Sequence, residues 1–326
     1  MKVNFSYSTL LKATLGTLIA ATQFVAHAQI DKPTFKVLVG FPAGAGADAL
    51  ARIYADALAQ TLSATAVVDN KPGAGGLIAN QALKAAPSES NSLMLTMDHQ
   101  VVMLPLITKN PGFDVKKDMV PIARLVTFSV CLAVPGNSSA NTLKDFIDAA
   151  KADPKNANFG IPAPGSQAHF AGFVVGRHFN APLNAVPYRG AAPAVADLLG
   201  SQVPSIIVPC DALFEQRKAG KIKILAIAAD KRSPAIPDVP TFDELGVKMP
   251  TDNFVAIYAA ASMKPELLKQ VVDAPPKMFQ NQATVARFNA TGMSAAYAGP
   301  DELRGIVDRG AVFWAEQVKT SKFEPQ

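Results

Sequence analysis

Three stretches of this chain carry residue types whose spacing could do chemistry. Phe41 to Asp48 reads Phe-Pro-Ala-Gly-Ala-Gly-Ala-Asp. Gly44 and Gly46 admit positive φ and let a ligand approach the backbone closely. A helix that begins just beyond them would point its free N–H groups at an anion. Asp98-His99-Gln100 sets an acid beside an imidazole after an apolar run, and Gly165-Ser166-Gln167-Ala168-His169 sets a hydroxyl and an imidazole at i, i+3. A Ser166–His169 dyad would suit acyl transfer, but no orienting acid or oxyanion arrangement accompanies it. The chain has no G-x-S-x-G elbow, and His99, His169 and His178 show no metal-ligand spacing such as H-E-x-x-H. Anion binding without catalysis, cofactor or metal is the expected chemistry.

Positioning such loops takes strands and helices in alternation. Val37, Leu38 and Val39 form an apolar, partly β-branched run, as expected of a strand covered on both faces. Ala49 to Leu62 places Leu50, Ile53, Tyr54, Ala57 and Leu58 on one helical face. Ala66 to Val68 is a second strand, and Asn70 to Gly76 is a second glycine-rich turn before a helix from Leu77 to Ala85. Leu93 to Thr96 is a third strand, followed by the Asp98–Gln100 loop. Ile122 to Val134 holds further strands, and Thr142 to Ala152 is a helix. Ser166 is the N-cap of a helix reaching Phe179. Pro193 suits N1 of the next helix, which Gly200 ends. Asp211 suits the N-cap of a helix closed by Gly220. Ile222 to Ala228 is a strand, Thr241-Phe242-Asp243-Glu244 has the capping-box pattern, and Phe254 to Ala260 is a strand. Two helical segments separated by Pro275-Pro276 follow. The alternation predicts an α/β fold.

With 326 residues, 49% hydrophobic and 17% charged, the chain can bury a sizeable core in one large or two medium domains. Lys2 and Lys12 precede an apolar stretch from Ala13 to Ala21, and Ala26-His27-Ala28 offers small residues for cleavage, so residues 1–28 read as an export signal. Cleavage after Ala28 leaves a soluble chain that starts at Gln29 and has lost two of the basic residues behind the net charge of +5. No Lys/Arg run supports nucleic-acid binding. Export would permit a Cys131–Cys210 disulfide, but two cysteines are not a disulfide framework, and the pairing stays open.

The string Val39 to Asp48 followed by Ala51-Arg52 resembles the FPPGGGTD…AR signature of the tripartite tricarboxylate transporter receptors, the Bug or TctC family of periplasmic solute-binding proteins. Further blocks agree in order: Asp69 to Gly76, Gly165 to His169, Val186 to Pro193, Ala219-Gly220-Lys221, Lys231 to Pro234 and Pro237 to Thr241. The resemblance runs through Trp314. It implies a type II periplasmic binding protein fold, with two α/β domains closing over a ligand like a hinged trap. The chain crossings fall near Phe128 and Asn253, so domain 1 comprises residues 29–127 and 254–326 and domain 2 residues 128–253.

In that family the cleft holds a carboxylate between the loop after the first strand and a helix start on the opposing domain, partly through water. The resemblance therefore implicates Phe41, Ala43, Gly44, Ala45 and Asp48 on one lip and Ser166, Gln167, Ala168 and His169 on the other. Tyr188 lies in a matching block, and Phe41, Met97 and Val208 offer apolar surface for the ligand body. Asp98 and His99 replace the small residues common at their positions, which makes them candidates for specificity. Ala47 stands where the family usually has Thr, and Val208-Pro209-Cys210-Asp211 where a polar or acidic residue often follows the strand. Both make the pocket less polar and argue against an amino-acid ligand. Plain structural roles compete at several positions: Asp48 complements a helix start, Ser166 caps one, His169 packs, and Arg189 ties a turn. The implied partners are a small organic carboxylate and a two-component integral membrane permease, with a sensor kinase in some relatives; the receptor is expected to be a monomer in the periplasm. The rival reading is a dinucleotide-binding oxidoreductase, because Gly44-x-Gly46-x-x-Ala49 followed by Asp69 imitates a nucleotide fingerprint. Phe41-Pro42 in the turn, the second glycine loop and the export signal oppose it.

Overall fold

The computed structural model describes residues 32–251, 253–321 and 323. The export signal expected over residues 1–28 lies outside them. In chain order the strands and helices are β1 (Thr34–Val39), α1 (Gly46–Leu62), β2 (Thr65–Asn70), α2 (Leu77–Lys84), β3 (Ser92–Met97), α3 (Leu104–Ile107), α4 (Val115–Asp118), β4 (Met119–Phe128) and β5 (Val130–Pro135). They continue with α5 (Leu143–Ala152), β6 (Asn158–Ile161), α6 (Gln167–Phe179), β7 (Asn184–Pro187), α7 (Ala191–Leu199), β8 (Ser205–Pro209), α8 (Phe214–Lys218) and β9 (Ile222–Ile227). The last are β10 (Asn253–Ala260), α9 (Pro265–Gln280), α10 (Gln282–Asn289), β11 (Ser294–Ala298) and α11 (Pro300–Thr320).

Two mixed sheets result. The six-stranded sheet has the order β11-β4-β10-β3-β1-β2, and the five-stranded sheet β7-β6-β8-β5-β9. In the first, β2, β1 and β3 run parallel while β10 and β4 are antiparallel. Val39 pairs with Asn70 and Leu95, Met97 with Val255, and Phe128 with Asn253. The loops after β1, β2 and β3 therefore leave the sheet on the same edge as the end of β4. In the second sheet Ile161 pairs with Pro187, Val130 with Pro209, and Cys131 with Ile227. The loops after β6, β7 and β8 thus share an edge with the start of β5. Ser129 alone separates β4 from β5, so the two loop-bearing edges are joined by one residue.

The core explains the strand pattern. Val37 and Val39 pack in a cluster with Leu50, Tyr54 and Leu58 of α1, while Leu38 belongs to the cluster on the other face with Met94 and Leu83. Both faces of β1 are covered, as its continuous apolar run predicts. In the second sheet Cys131, Val208 and Ile206 face one cluster and Leu132 and Ile207 the other. Thr142, read from sequence as the first helical residue, instead caps α5 through the Asp145 N–H in a full capping box, and Ser166 caps α6 as expected.

Several local expectations are corrected. Pro275-Pro276 do not break the helix, because α9 runs through them to Gln280. The two lost N–H donors are offset by burying Val271, Ala274, Pro275 and Met278. Pro193 occupies the third position of α7, still within the turn whose N–H groups have no intrahelical partner. Asp211 is not an N-cap; it sits inside a 3₁₀ turn over Cys210–Leu213. Thr241 and Glu244 do exchange capping-box hydrogen bonds of 2.9 and 3.1 Å. They close only a turn, because Gly246 at φ +83° diverts the chain.

The cysteine question is resolved by register. Cys131 lies opposite Val208 in the β5–β8 ladder. Cys210, two residues further on, therefore returns to the same face, and the two form a disulfide with Cα atoms 5.0 Å apart. The bond closes a sequence separation of 79 residues. Replacing both cysteines with alanine is expected to lower stability in urea unfolding by about 2–4 kcal/mol. A double variant as stable as the oxidised parent would show that the crosslink contributes nothing.

Candidate functional site

The first glycine loop is held from beneath. Gly44, at φ +83°, donates its N–H to Asp48 Oδ2 at 3.0 Å. Asp48 also accepts from Arg52 Nε at 2.9 Å and Nη2 at 3.1 Å, and from Asn70 Nδ2 at 3.0 Å. The Asn70 amide reaches the Phe41 carbonyl as well, at 3.0 Å. Burial pushes the Asp48 carboxyl upward, but the hydrogen bonds from Arg52, Gly44 and Asn70 and the Arg52 charge outweigh it, leaving the pKa below the ordinary value. Asp48 is therefore a charged loop anchor whose oxygens already have four donors. No side chain caps α1, whose N-cap is Ala45. Its first N–H groups, beside the exposed Ala43 and Gly44 and half-buried Phe41 and Ala45, point outward without intrahelical partners.

The second glycine loop packs against the first. A Cβ on Gly40 would lie 2.8 Å from Gly76 Cα and 2.9 Å from Gln100 Nε2. Gln100 is fully buried. It accepts from Met97 N–H at 3.2 Å, its amide faces Asn80 Oδ1 at 3.2 Å, and its carbonyl takes the Asn80 amide at 2.8 Å. One buried glutamine thus ties together the ends of β1, β2 and β3. Asp98 and His99 lead into a single π-helical turn over His99–Met103, an uncommon geometry that often marks functional positions.

On the second sheet, Ser166 Oγ accepts from His169 N–H at 3.2 Å, and Gly165 N–H donates to His169 Nδ1 at 3.0 Å. The His169 ring lies 5.3 Å from Phe170 and 5.9 Å from Phe323, and burial lowers its pKa. His169 is accordingly a packed residue that shapes the turn. Ala168 and Gln167 are buried, and Gln167 borders a cavity of about 360 Å³ that also meets Thr251 and Trp314. Tyr188 donates its hydroxyl to Asp197 at 2.8 Å, and burial and Asp197 raise its pKa to about 12. Val208 is fully buried in the core of the second sheet. Met97 is half-buried beside Gln100.

The loops of the two sheets meet. A Cβ on Gly165 would come within 2.3 Å of Ile107 Cδ1. Beside this contact lies a cavity of about 450 Å³. The second glycine loop (Ala74, Gly75), Leu77, His99 and Thr108 line it from one sheet, and Ala163-Pro164, just before Ser166, from the other. Among the described residues no hydrogen bond joins the Phe41–Asp48 loop to the Gly165–His169 turn. Their neighbours, the second glycine loop and Ala163-Pro164, share that cavity, whereas the two turns themselves do not line it. Those neighbours were not among the expected site residues. The glycines at 73, 75 and 76 were the available signal, since all have positive φ.

Asp98 and His99 have opposite electrostatics. Asp98 is 3% exposed; Oδ1 accepts from His99 N–H at 2.7 Å, and Oδ2 has no partner. Burial raises its pKa to about 7 despite hydrogen bonds from His99 and Phe254. His99 Nδ1 is buried without a partner, and burial lowers the imidazole to about 4. Between about pH 4 and 6.5 folded Asp98 keeps a proton that the unfolded chain has released, so its contribution makes stability fall as pH rises. In the same window folded His99 lacks a proton that the unfolded chain holds, so its contribution makes stability rise with pH. The two slopes, each about 1.4 kcal/mol per pH unit, cancel in the parent. Relative to the parent, Asp98→Asn should therefore give stability that rises with pH across this window, and His99→Gln stability that falls. Urea titrations at several pH values read both slopes, and two unchanged slopes would refute the assignment.

The comparisons with known proteins bear on this architecture. The profile described as Tripartite tricarboxylate transporter family receptor matches residues 50–311. BugT of Bordetella pertussis is 30% identical over 318 residues, covering 95% of this chain and 97% of that protein. Among solved structures, a TctC solute-binding protein from Polaromonas superposes with a TM-score of 0.73 at 26% identity, covering 88% of this chain and 98% of that one. A Rhodopseudomonas palustris protein solved with adipate gives a TM-score of 0.80 at 23% identity, covering 90% and 98% of the two chains. MatC from Rhodopseudomonas palustris, with bound malate, gives 0.75 at 23%, covering 87% and 98%. The chain belongs to the tripartite tricarboxylate transporter receptor family, and its fold is that of the periplasmic solute-binding proteins. Nothing in these similarities supports the dinucleotide reading.

Proposed function

From its place in this receptor family, we propose that the chain is an exported solute-binding receptor that captures an organic carboxylate between two lobes and hands it to a two-component membrane permease. The lobes are residues 29–127 with 254–326, and residues 128–253, hinged at Ser129 and before Asn253. The observation that carries the reading is the convergence of loop-bearing strand ends from both sheets on one crossing residue, where open α/β sheets take their ligands. Solved relatives that hold adipate and malate support an acidic ligand.

The carboxylate is bound by backbone. Phe41, Ala43, Gly44 and Ala45 lead to the uncapped start of α1, and Ser166 and Gln167 to the start of α6. Each helix start offers N–H donors and the positive end of a dipole, favouring an anion by roughly 0.3–1 kcal/mol, and more when water is excluded. Asp48, His169 and Tyr188 hold the turns, and their polar atoms are engaged within the protein. Catalysis is not part of the proposal. His169 Nδ1 accepts from Gly165 N–H, and Ser166 Oγ takes the His169 amide, so the two side chains form no nucleophile–base pair.

A thermal-shift screen of the mature chain against mono- and dicarboxylates tests the reading. A ligand at one hundred times its dissociation constant stabilises by about 2.7 kcal/mol. Gly44→Val, which forces a β-branched residue to φ +83° in the binding loop, should lose that shift. Failure of every acid to raise the melting temperature, or full ligand response in Gly44→Val, would overturn the backbone-carboxylate mechanism.

A further inference from the structure

The cavity of about 450 Å³ beside Gly165 has a composition that narrows the ligand. No residue of Phe41–Asp48 or Gly165–His169 lines it, but each turn abuts a segment that does. Its second glycine loop touches the first through Gly40 and Gly76, and its Ala163-Pro164 wall leads directly into Ser166. A ligand whose carboxylate sits at those turns would therefore extend its body into this chamber. Among the described residues, the remaining lining is apolar, from Leu77, Leu104, Ile107 and Phe323, and includes no Lys, Arg, Asp or Glu. Thr108 and His99 are the polar side chains among those described.

We propose, building on the carboxylate-receptor reading, that the ligand is a monocarboxylic acid with a carbon-rich body whose far end is apolar or bears a neutral hydroxyl or carbonyl, and that His99 reads that far end. His99 Nδ1 is buried. Nε2 lies on the chamber side, against Gly75, where a Cβ would stand 3.0 Å from it. Gly75 at φ +64° leaves that room open. The imidazole is neutral because burial lowers its pKa to about 4. It can exchange one hydrogen bond with a neutral group but supplies no charge to a second carboxylate. A dianion would place its distal charge against walls that, among the described residues, are apolar and hold no cation, which low dielectric penalises strongly.

Two matched series test the proposal by isothermal titration: benzoate, 4-hydroxybenzoate and terephthalate, then hexanoate, 6-hydroxyhexanoate and adipate. Within the series that binds, the monoacids should bind at least tenfold more tightly than the diacid, with the hydroxylated acid tightest. His99→Leu should bring the hydroxylated acid to within twofold of its parent acid. His99→Arg should improve diacid binding at least tenfold, and Thr108→Lys supplies the same charge to the chamber should His99→Arg fail to fold. A diacid as the tightest wild-type ligand, or indifference of all three variants to the far-end group, overturns this inference and leaves the receptor reading standing. If none of the six acids binds, this inference falls, whereas the receptor reading falls only if the wider carboxylate screen finds no ligand.

Discussion

The cleft geometry depends on one buried carboxylate. A glycine-rich loop has few side chains with which to pack itself, so its shape must be imposed by hydrogen bonds from outside the loop. Asp48 does so by drawing Gly44, Arg52 and Asn70 onto two oxygens. Asn70, at the end of the neighbouring strand, then reaches Phe41. Leaving the buried Asp48 carboxylate short of donors costs about 1–3 kcal/mol or more, so the loop follows the helix and strand that bear Asp48 and Asn70. Gln100 performs the corresponding service one strand over, filling the space that glycines at 40 and 76 vacate. The absence of side chains at these positions is what lets three consecutive strand-end loops lie close enough to share one buried amide.

Those loops can act together with the second sheet because of the crossing. A single residue between β4 and β5 keeps the two strand-end edges adjacent. The disulfide fastens the next turn of the second sheet to the start of β5, and Cys210 N–H is held by the Ser129 carbonyl at 2.9 Å. On the far side α11 returns to α6, where Arg177 meets Thr320 and Gln317, and Trp314 and Phe323 pack around Phe170. The cleft is thus bordered by a covalently reinforced crossing at one end and by polar and aromatic contacts at the other.

Local signals were legible in the sequence where the physics is local. The two-sided burial of Val37 to Val39, the Ser166 cap and the helix face of Leu50, Tyr54 and Leu58 follow from periodicity and capping chemistry. What required tertiary structure was hidden. The Cys131–Cys210 bond follows from the β5–β8 register, which no spacing of two cysteines reveals. The double proline stays helical because the burial of α9 prevails over local preference. The Thr241–Glu244 box closes without a helix because Gly246 follows it. Residue types pointed to the two glycine-bearing turns as anion sites, but the engagement of Asp48, His169 and Tyr188 within the protein appears only when their partners are placed. The chamber walls were missed because Ala74, Leu77, Ala163 and Pro164 carry no chemical signature of their own.

This arrangement separates two tasks that side chains often combine. In the proposed mode of binding, charge recognition rests on backbone N–H groups, which do not titrate and whose direction is set by helix starts and by anchors such as Asp48. Shape recognition falls to the chamber, whose side chains can differ without disturbing those anchors. His99 stands at the junction, because its backbone N–H belongs to the Asp98 hydrogen bond while its ring belongs to the chamber. The buried Asp98, whose carboxyl burial pushes up to about 7, fits that position. A fully ionised carboxylate there would favour a charged imidazole next door, whereas a protonated acid lets His99 remain a neutral hydrogen-bonding group. On the proposed reading, the two groups that look most like catalytic machinery in the sequence keep the His99 wall of the chamber uncharged.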